Sequence, residues 1–168
     1  LCRAPSQARR SLTLRDGASI PYFGRVLTLR LTDAARVTLA GDTLLIPSKS
    51  DGLDSAIRFL ESQTRQALTL RVSVLSQRLC LAPKTIRLTR ARGRWGSMSM
   101  RGTLSLNRAL MHCPPDIIDY VIIHELCHIA HPNHSAAFWA TVERFLPDYR
   151  MKRDWLKTRN SLINILPC

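Results

Sequence analysis

His124 and His128 stand four residues apart at the end of a run that is apolar almost all the way round. Ile117, Ile118, Tyr120, Val121, Ile122 and Ile123 precede them. A helix without a polar face has to be buried on every side, so the rest of the chain must wrap this segment. Burial also makes the histidines informative. Residues at i and i+4 project one above the other from a single helix face. Two imidazoles at the end of a buried helix need partners, and a shared metal ion supplies them. Glu125, beside the first histidine, stands where a general base for an attacking water belongs. Pro114-Pro115-Asp116 reads as the helix start, with proline tolerated in the first turn and an acid near the positive end of the dipole. Pro132 stops the helix, giving an expected span of Pro115 to His131.

A third histidine, His134, follows after Asn133, a residue that tolerates a left-handed turn. Three neutral imidazoles, His124, His128 and His134, would leave one coordination position open, as a catalytic zinc site requires. Imidazole ligands favour zinc, and Ni²⁺, Co²⁺ or Mn²⁺ are compatible with the same donors. The spacing matches the first three histidines of the metzincin pattern, except that His131 occupies the glycine position and no Met-turn follows. His131 is a rival third ligand. Its place three residues after His128, on the same helix, makes a three-sided grip hard to close.

Charge divides the chain. Residues 1–110 carry 19 Lys and Arg against 6 Asp and Glu, whereas residues 111–168 carry 6 of each, so the whole net charge of +13 belongs to the first part. Of the 25 cations 21 are arginine, the residue suited to bidentate contacts with phosphate or carboxylate. Arg90, Arg92 and Arg94 alternate, and an extended strand would put all three on one face. With Asn107 they are candidate substrate or phosphate contacts, and the wider basic surface is a candidate nucleic-acid partner site. No aromatic series is interleaved with these cations, which argues against a stacking platform for single strands. Nothing approaches the 18 apolar residues of a membrane span. Leu1 to Arg15 lacks the apolar core of a secretory signal. Five scattered cysteines without a Cys-x-x-Cys pair suit reduced thiols and a cytoplasmic location. The chain opens on Leu1 rather than Met, as a fragment or processed form would.

The expected organisation is α+β, with strands first and helices later. Residues 1–168 read as one domain: an N-terminal β region at 1–49, a long helix at 50–83 and a catalytic region at 84–168. Asp16-Gly17 and Gly41-Asp42 are turn signals between short strands, which predicts a small antiparallel sheet. Apolar residues from Leu53 to Leu79 recur at helical spacing, with Ser50 or Asp51 as cap and Ala82-Pro83 as terminator. Thr85 to Arg94 and Thr103 to Asn107 read as strands. Ser135 caps a short helix to Phe145, and Tyr149 to Ile163 forms the last helix.

With those segments in place the chain resembles the YgjP-like metal-dependent hydrolases, relatives of the SprT-like and WLM zincins. Trp95-Gly96-Ser97-Met98-Ser99, Leu106-Asn107 and Pro114 to Val121 follow the family's order. So do His134-Ser135, Phe138-Trp139, Leu146-Pro147-Asp148-Tyr149 and, near the start, Ile20 to Gly24. Met98 departs from it, standing where the family usually has cysteine, and reads as a packing substitution of similar apolar character. The resemblance implies a zincin-like catalytic half in which a strand beside the active-site helix pairs with extended substrate; Thr103 to Asn107 is the expected strand. It implies a zinc metallopeptidase with Glu125 as base. Two further readings are a nucleoside triphosphate pyrophosphatase, which some relatives and the arginines suggest, and a zinc-stabilised nucleic-acid scaffold. Ser97, Asn107 and Tyr149 are candidate donors to the transition-state oxyanion.

Overall fold

The apolar periodicity after Asp51 becomes one helix, α1 (Gly52–Leu79), of 28 residues, and the molecule is organised along it. A helix of that length spans about 42 Å. Its first half buries Ala56 and Leu60 in one core and its second half buries Leu68, Val72, Leu75 and Leu79 in another. The computed structural model describes residues 15–48 and 51–165. Asp51 occupies the position before the helix without a side-chain capping bond. Ser50, the other expected cap, lies outside the described residues, as do residues 11–14, which lead into the expected turn at Asp16-Gly17. Helix α1 ends on Cys80, whose φ of 55° turns the chain left-handed ahead of Pro83.

The first core lies beneath a four-stranded sheet of β1 (Ser19–Tyr22), β2 (Arg25–Thr32), β3 (Thr38–Ala40) and β4 (Thr43–Pro47), in the order β1-β2-β4-β3. Strands β3 and β4 form the hairpin expected at Gly41-Asp42. One detail differs from expectation. The sheet is mixed, because β4 inserts between β2 and β3 and runs parallel to β2. Sequence patterning shows which residues alternate, but not which strand a short link skips. A tight turn forms at Asp16-Gly17 as expected, with Ala18 N–H donating to Arg15 O at 2.9 Å, and a second at Phe23-Gly24 joins β1 to β2. Gly17 N–H already donates to Leu29 along β2 and the Asp16 carboxylate accepts from Leu31 N–H, so this segment continues beside β2. Gly24 has φ +83°, and a Cβ there would come within 3.0 Å of Pro115 Cδ. The turn is therefore seated on the start of the histidine helix, where Phe23 N–H also donates to Met111 O at 2.6 Å.

The second core surrounds α2 (Pro115–Cys127), the apolar run and its histidine motif. Ile118, Ile122, Ile123, Leu126 and Cys127 are completely buried. Each such isoleucine or leucine contributes about 1.5–3 kcal/mol. Around α2 lie α1, α3 (Ala136–Phe145), α4 (Tyr149–Thr158) and a second sheet. That sheet comprises β5 (Thr85–Thr89), β6 (Gly96–Met98) and β7 (Thr103–Asn107), in the order β5-β7-β6. Strand β5 stops at Thr89, so Arg90, Arg92 and Arg94 lie on a loop rather than on one face of a strand. Helix α2 is shorter than expected, giving way to turns from His128, and α4 ends at Thr158 before a 3₁₀ turn at Asn160–Asn164. Ser135 caps α3 as its position suggests, its Oγ accepting from Phe138 N–H.

Glu61 of α1 ties this loop to the core. It receives both arms of Arg90 at 3.0 Å and Nη1 of the buried Arg108 at 2.5 Å. Burial by itself raises the Glu61 pKa, but hydrogen bonds and charge from the two arginines outweigh it and hold the carboxyl below its ordinary value. Glu61→Ala leaves Arg108 buried without this partner, and the expected loss in urea unfolding is about 3 kcal/mol. Because the folded pKa is depressed, the advantage of wild type over Glu61→Gln is full above the unfolded carboxyl's pKa. It should disappear as pH falls through the lower folded value, and a pH-independent gap would contradict the assignment.

Candidate functional site

Helix geometry and one turn of loop bring three imidazoles together. His124 and His128 project from the end of α2, and the His131-Pro132-Asn133 corner returns His134 to them. One ring nitrogen from each lies within 4.8 Å of the others. His124 Nε2 and His134 Nε2 are 3.1 Å apart. Two nitrogens held about 2.05 Å from one tetrahedral ion would be separated by about 3.3 Å, so this spacing fits a shared small divalent ion. The tautomer of His128 points the same way. Its Nδ1 faces the His131 carbonyl at 3.1 Å, and donating there leaves the Nε2 lone pair free for a metal. Burial, followed by the neighbouring His128 and His134, pushes the His124 pKa down to about 3, so this ring is a neutral imidazole at physiological pH.

Helix α3 keeps the rings in place. Phe138, fully buried, packs against all three, stacking on His128 with centroids 4.5 Å apart. Trp139 stacks on His134 and Tyr149 stacks on Trp139. The exposed loop histidine is thereby braced by an aromatic shelf that runs back into α4. His131 takes no part in the cluster with its ring, whose Nε2 meets Thr141 Oγ1 of α3 at 3.1 Å. Its carbonyl orients His128 instead, a contribution that a search for ligand side chains does not find.

Glu125 turns its carboxyl toward β6. Its carboxylate accepts the backbone N–H of Met98. Burial raises its pKa to about 7, against the opposing influence of that hydrogen bond and of the Arg94 charge. Gly96 explains how the side chain fits. A Cβ on Gly96 would lie 2.9 Å from Glu125 Cγ and 3.0 Å from its Oε1. The glycine in the Trp95-Gly96-Ser97 segment is thus a space requirement of the carboxylate.

The histidines and Glu125 line a cleft of about 540 Å³ whose other wall is residues 96–102, with Lys84, Ile129 and Pro132 at its margins. Strand β6 supplies that wall as an edge strand. Asn107 N–H donates to Trp95 O, and Ser99 N–H to Thr103 O, so residues 95, 97 and 99 turn their backbone groups toward β7. Gly96 and Met98 turn theirs outward. Strand β7, the one expected to receive substrate, is paired on both sides and has no free edge.

The remaining sequence candidates are placed elsewhere. Arg90 is held by Glu61, and neither Arg92 nor Arg94 lines the cleft, although Arg94 is near enough to act on Glu125. Asn107 is buried and spent on structure. Its Nδ2 donates to the Ala91 and Arg94 carbonyls and its Oδ1 accepts from Ala109 N–H, which pins the arginine loop and starts the next 3₁₀ turn. Ser97 lines the cleft, whereas Tyr149 is buried beneath Trp139. Met98 packs against the core and also lines the cleft. Cys127 is a buried core residue whose thiol pKa is pushed up to about 11 by burial.

A three-histidine group that could hold a metal, at the end of a buried helix and facing an edge strand across a cleft, defines a metallopeptidase-type centre. The YgjP-like metallopeptidase domain matches residues 3–159, and the chain belongs to the YgjP-like family. Two solved structures are similar. The metallopeptidase zymogen of Pyrococcus abyssi abylysin is 22% identical, with a TM-score of 0.50 over 55% of this chain and 93% of that one. The zymogen of Methanocaldococcus jannaschii jannalysin is 21% identical, with a TM-score of 0.48 over 56% and 96%. No curated protein matches the chain. The fold is α+β with a zincin-like catalytic half.

In the metal-free protein the Glu125 carboxyl should titrate near 7 when followed by carbon NMR. Gly96→Ala should push it from its niche toward solvent and bring that titration down toward the ordinary 4.5. An unchanged titration would mean that Gly96 does not shape the niche.

Proposed function

We propose that this protein is a zinc-dependent metallopeptidase, with His124, His128 and His134 as ligands and Glu125 as general base. The observation that carries the reading is the convergence of three ring nitrogens within 4.8 Å beside a buried carboxylate, on the wall of a cleft bounded by an open strand edge. Zn²⁺ bound there would polarise the attacked carbonyl and acidify the attacking water. The protein's own groups do the rest. Glu125, with a pKa close to neutral, accepts the water proton at its carboxylate and delivers it to the departing amine. Met98 N–H and the niche at Gly96 hold that carboxylate facing the cleft. An extended substrate lies along β6, whose Gly96 amide and carbonyl and Met98 carbonyl are directed outward for strand addition. His131 O and Phe138 keep the ligand set in register through substrate binding and release.

Arg90 pairs with Glu61 and neither Arg92 nor Arg94 lines the cleft, so a triphosphate-binding reading there draws on Lys84 and Arg101 instead. The test is metal content and turnover of a peptide library and of nucleoside triphosphates, in wild type and Glu125→Gln. We expect one zinc per chain in both proteins and peptide cleavage in wild type alone. The variant's rate should fall by about 10²–10⁴-fold. Each of the three histidine-to-alanine variants should lose zinc. Triphosphate turnover without peptide cleavage would overturn the proposal in favour of a pyrophosphatase, and equal cleavage by Glu125→Gln would remove the assigned base.

A further inference from the structure

Between Glu61 and Asp116 the chain has no acidic residue at all, while ten Lys and Arg fall in those 54 positions. The fold gathers part of this excess beside a second cavity, of about 280 Å³, between α1 and the outer edge of β5. Its apolar lining comes from Leu68 of α1, Ile86 and Leu88 of β5, and Leu106. Arg65, Lys84 and Arg87 also line it. All twelve Asp and Glu side chains belong to the described residues. Among the described residues none of them forms a salt bridge with Arg65, Lys84 or Arg87; Asp42, Glu61, Asp116, Asp119, Glu143, Asp148 and Asp154 pair with other cations. Lys84 lines both this groove and the catalytic cleft, so the two meet at that residue.

We propose that the groove is an exosite for an extended acidic polypeptide segment of the protein substrate, outside the cleft in which the bond is cut; this role as part of a substrate site rests on the metallopeptidase reading. Three properties select that occupant. Cations without an acidic partner among the described residues call for an anionic one. The edge of β5 offers backbone amides and carbonyls to a chain lying beside it. The apolar floor gives aliphatic side chains a place between the acids, whereas a nucleic-acid backbone has no groups to bury there. Among the described residues no aromatic side chain lines the groove for a base to stack on. Continuity through Lys84 lets one substrate chain occupy groove and cleft together.

The experiment uses the full chain carrying Glu125→Gln, so that binding is read without cleavage. Fluorescence anisotropy would follow a labelled ten-residue peptide alternating Glu with Val and Thr, its Gln counterpart and a ten-nucleotide single strand of DNA. Hydrogen exchange of residues 85–89 would be measured with and without the acidic peptide. The expected result is at least roughly tenfold tighter binding of the acidic peptide than of the Gln peptide, protection of 85–89, and loss of that preference in Arg65→Gln/Arg87→Gln. Equal affinity for the two peptides, or protection confined to 96–98, would overturn the inference. So would tighter binding of the DNA strand that the same double substitution abolishes. Cleavage of short neutral peptides by the otherwise wild-type protein should be unchanged in Arg65→Gln/Arg87→Gln. Turnover without groove binding thus contradicts the exosite alone, and groove binding without any peptide turnover contradicts the peptidase alone.

Discussion

The burial of α2 on all sides is the constraint from which the site follows. A helix whose flanks are isoleucine, valine and leucine cannot shift by a turn without exposing them, so the positions of His124, Glu125 and His128 are set by packing. The desolvation that comes with this packing then tunes the chemistry. It keeps His124 neutral, as an imidazole donor must be, and lifts the Glu125 carboxyl to about 7, which makes its carboxylate a stronger proton acceptor. The third histidine is not on the helix, and its position relies on Phe138 and Trp139 from α3.

The two cores are joined through few but specific contacts. Helix α1 runs through both, Arg71 on it makes a bidentate pair with Asp119 on α2, and the Gly24 turn rests on Pro115. The N-terminal sheet therefore contributes to the site indirectly, by fixing the start of the helix that carries it. His112 belongs to the same seam, its Nδ1 facing Pro21 O at 2.8 Å.

Much of this was legible in the sequence because periodicity reports burial. The long helix, the histidine helix, the Ser135 cap and the Gly41-Asp42 hairpin all follow from local spacing and side-chain chemistry. What escaped was set by pairing across the chain. Nothing in Thr103 to Asn107 tells that it becomes a central strand, or that the short Gly96–Met98 segment becomes the open edge beside the cleft. Alternating arginines suggested a strand face, but Glu61, 29 residues before Arg90, draws that arginine into a loop contact. Asn107 looked available for substrate because two of its hydrogen bonds reach Ala91 and Arg94, whose proximity only folding creates. Gly96 carried a visible signal, since glycine in a strand often marks a close approach, and here the approaching group is the Glu125 carboxylate.

The central claim is that three imidazoles share one ion, and X-ray absorption at the zinc edge of the metal-loaded protein tests it most directly. The account predicts three histidine nitrogens at about 2.0–2.1 Å with one further light-atom ligand and no sulfur. A sulfur shell near 2.3 Å, or a first shell in which fewer than three imidazoles are seen, would contradict it.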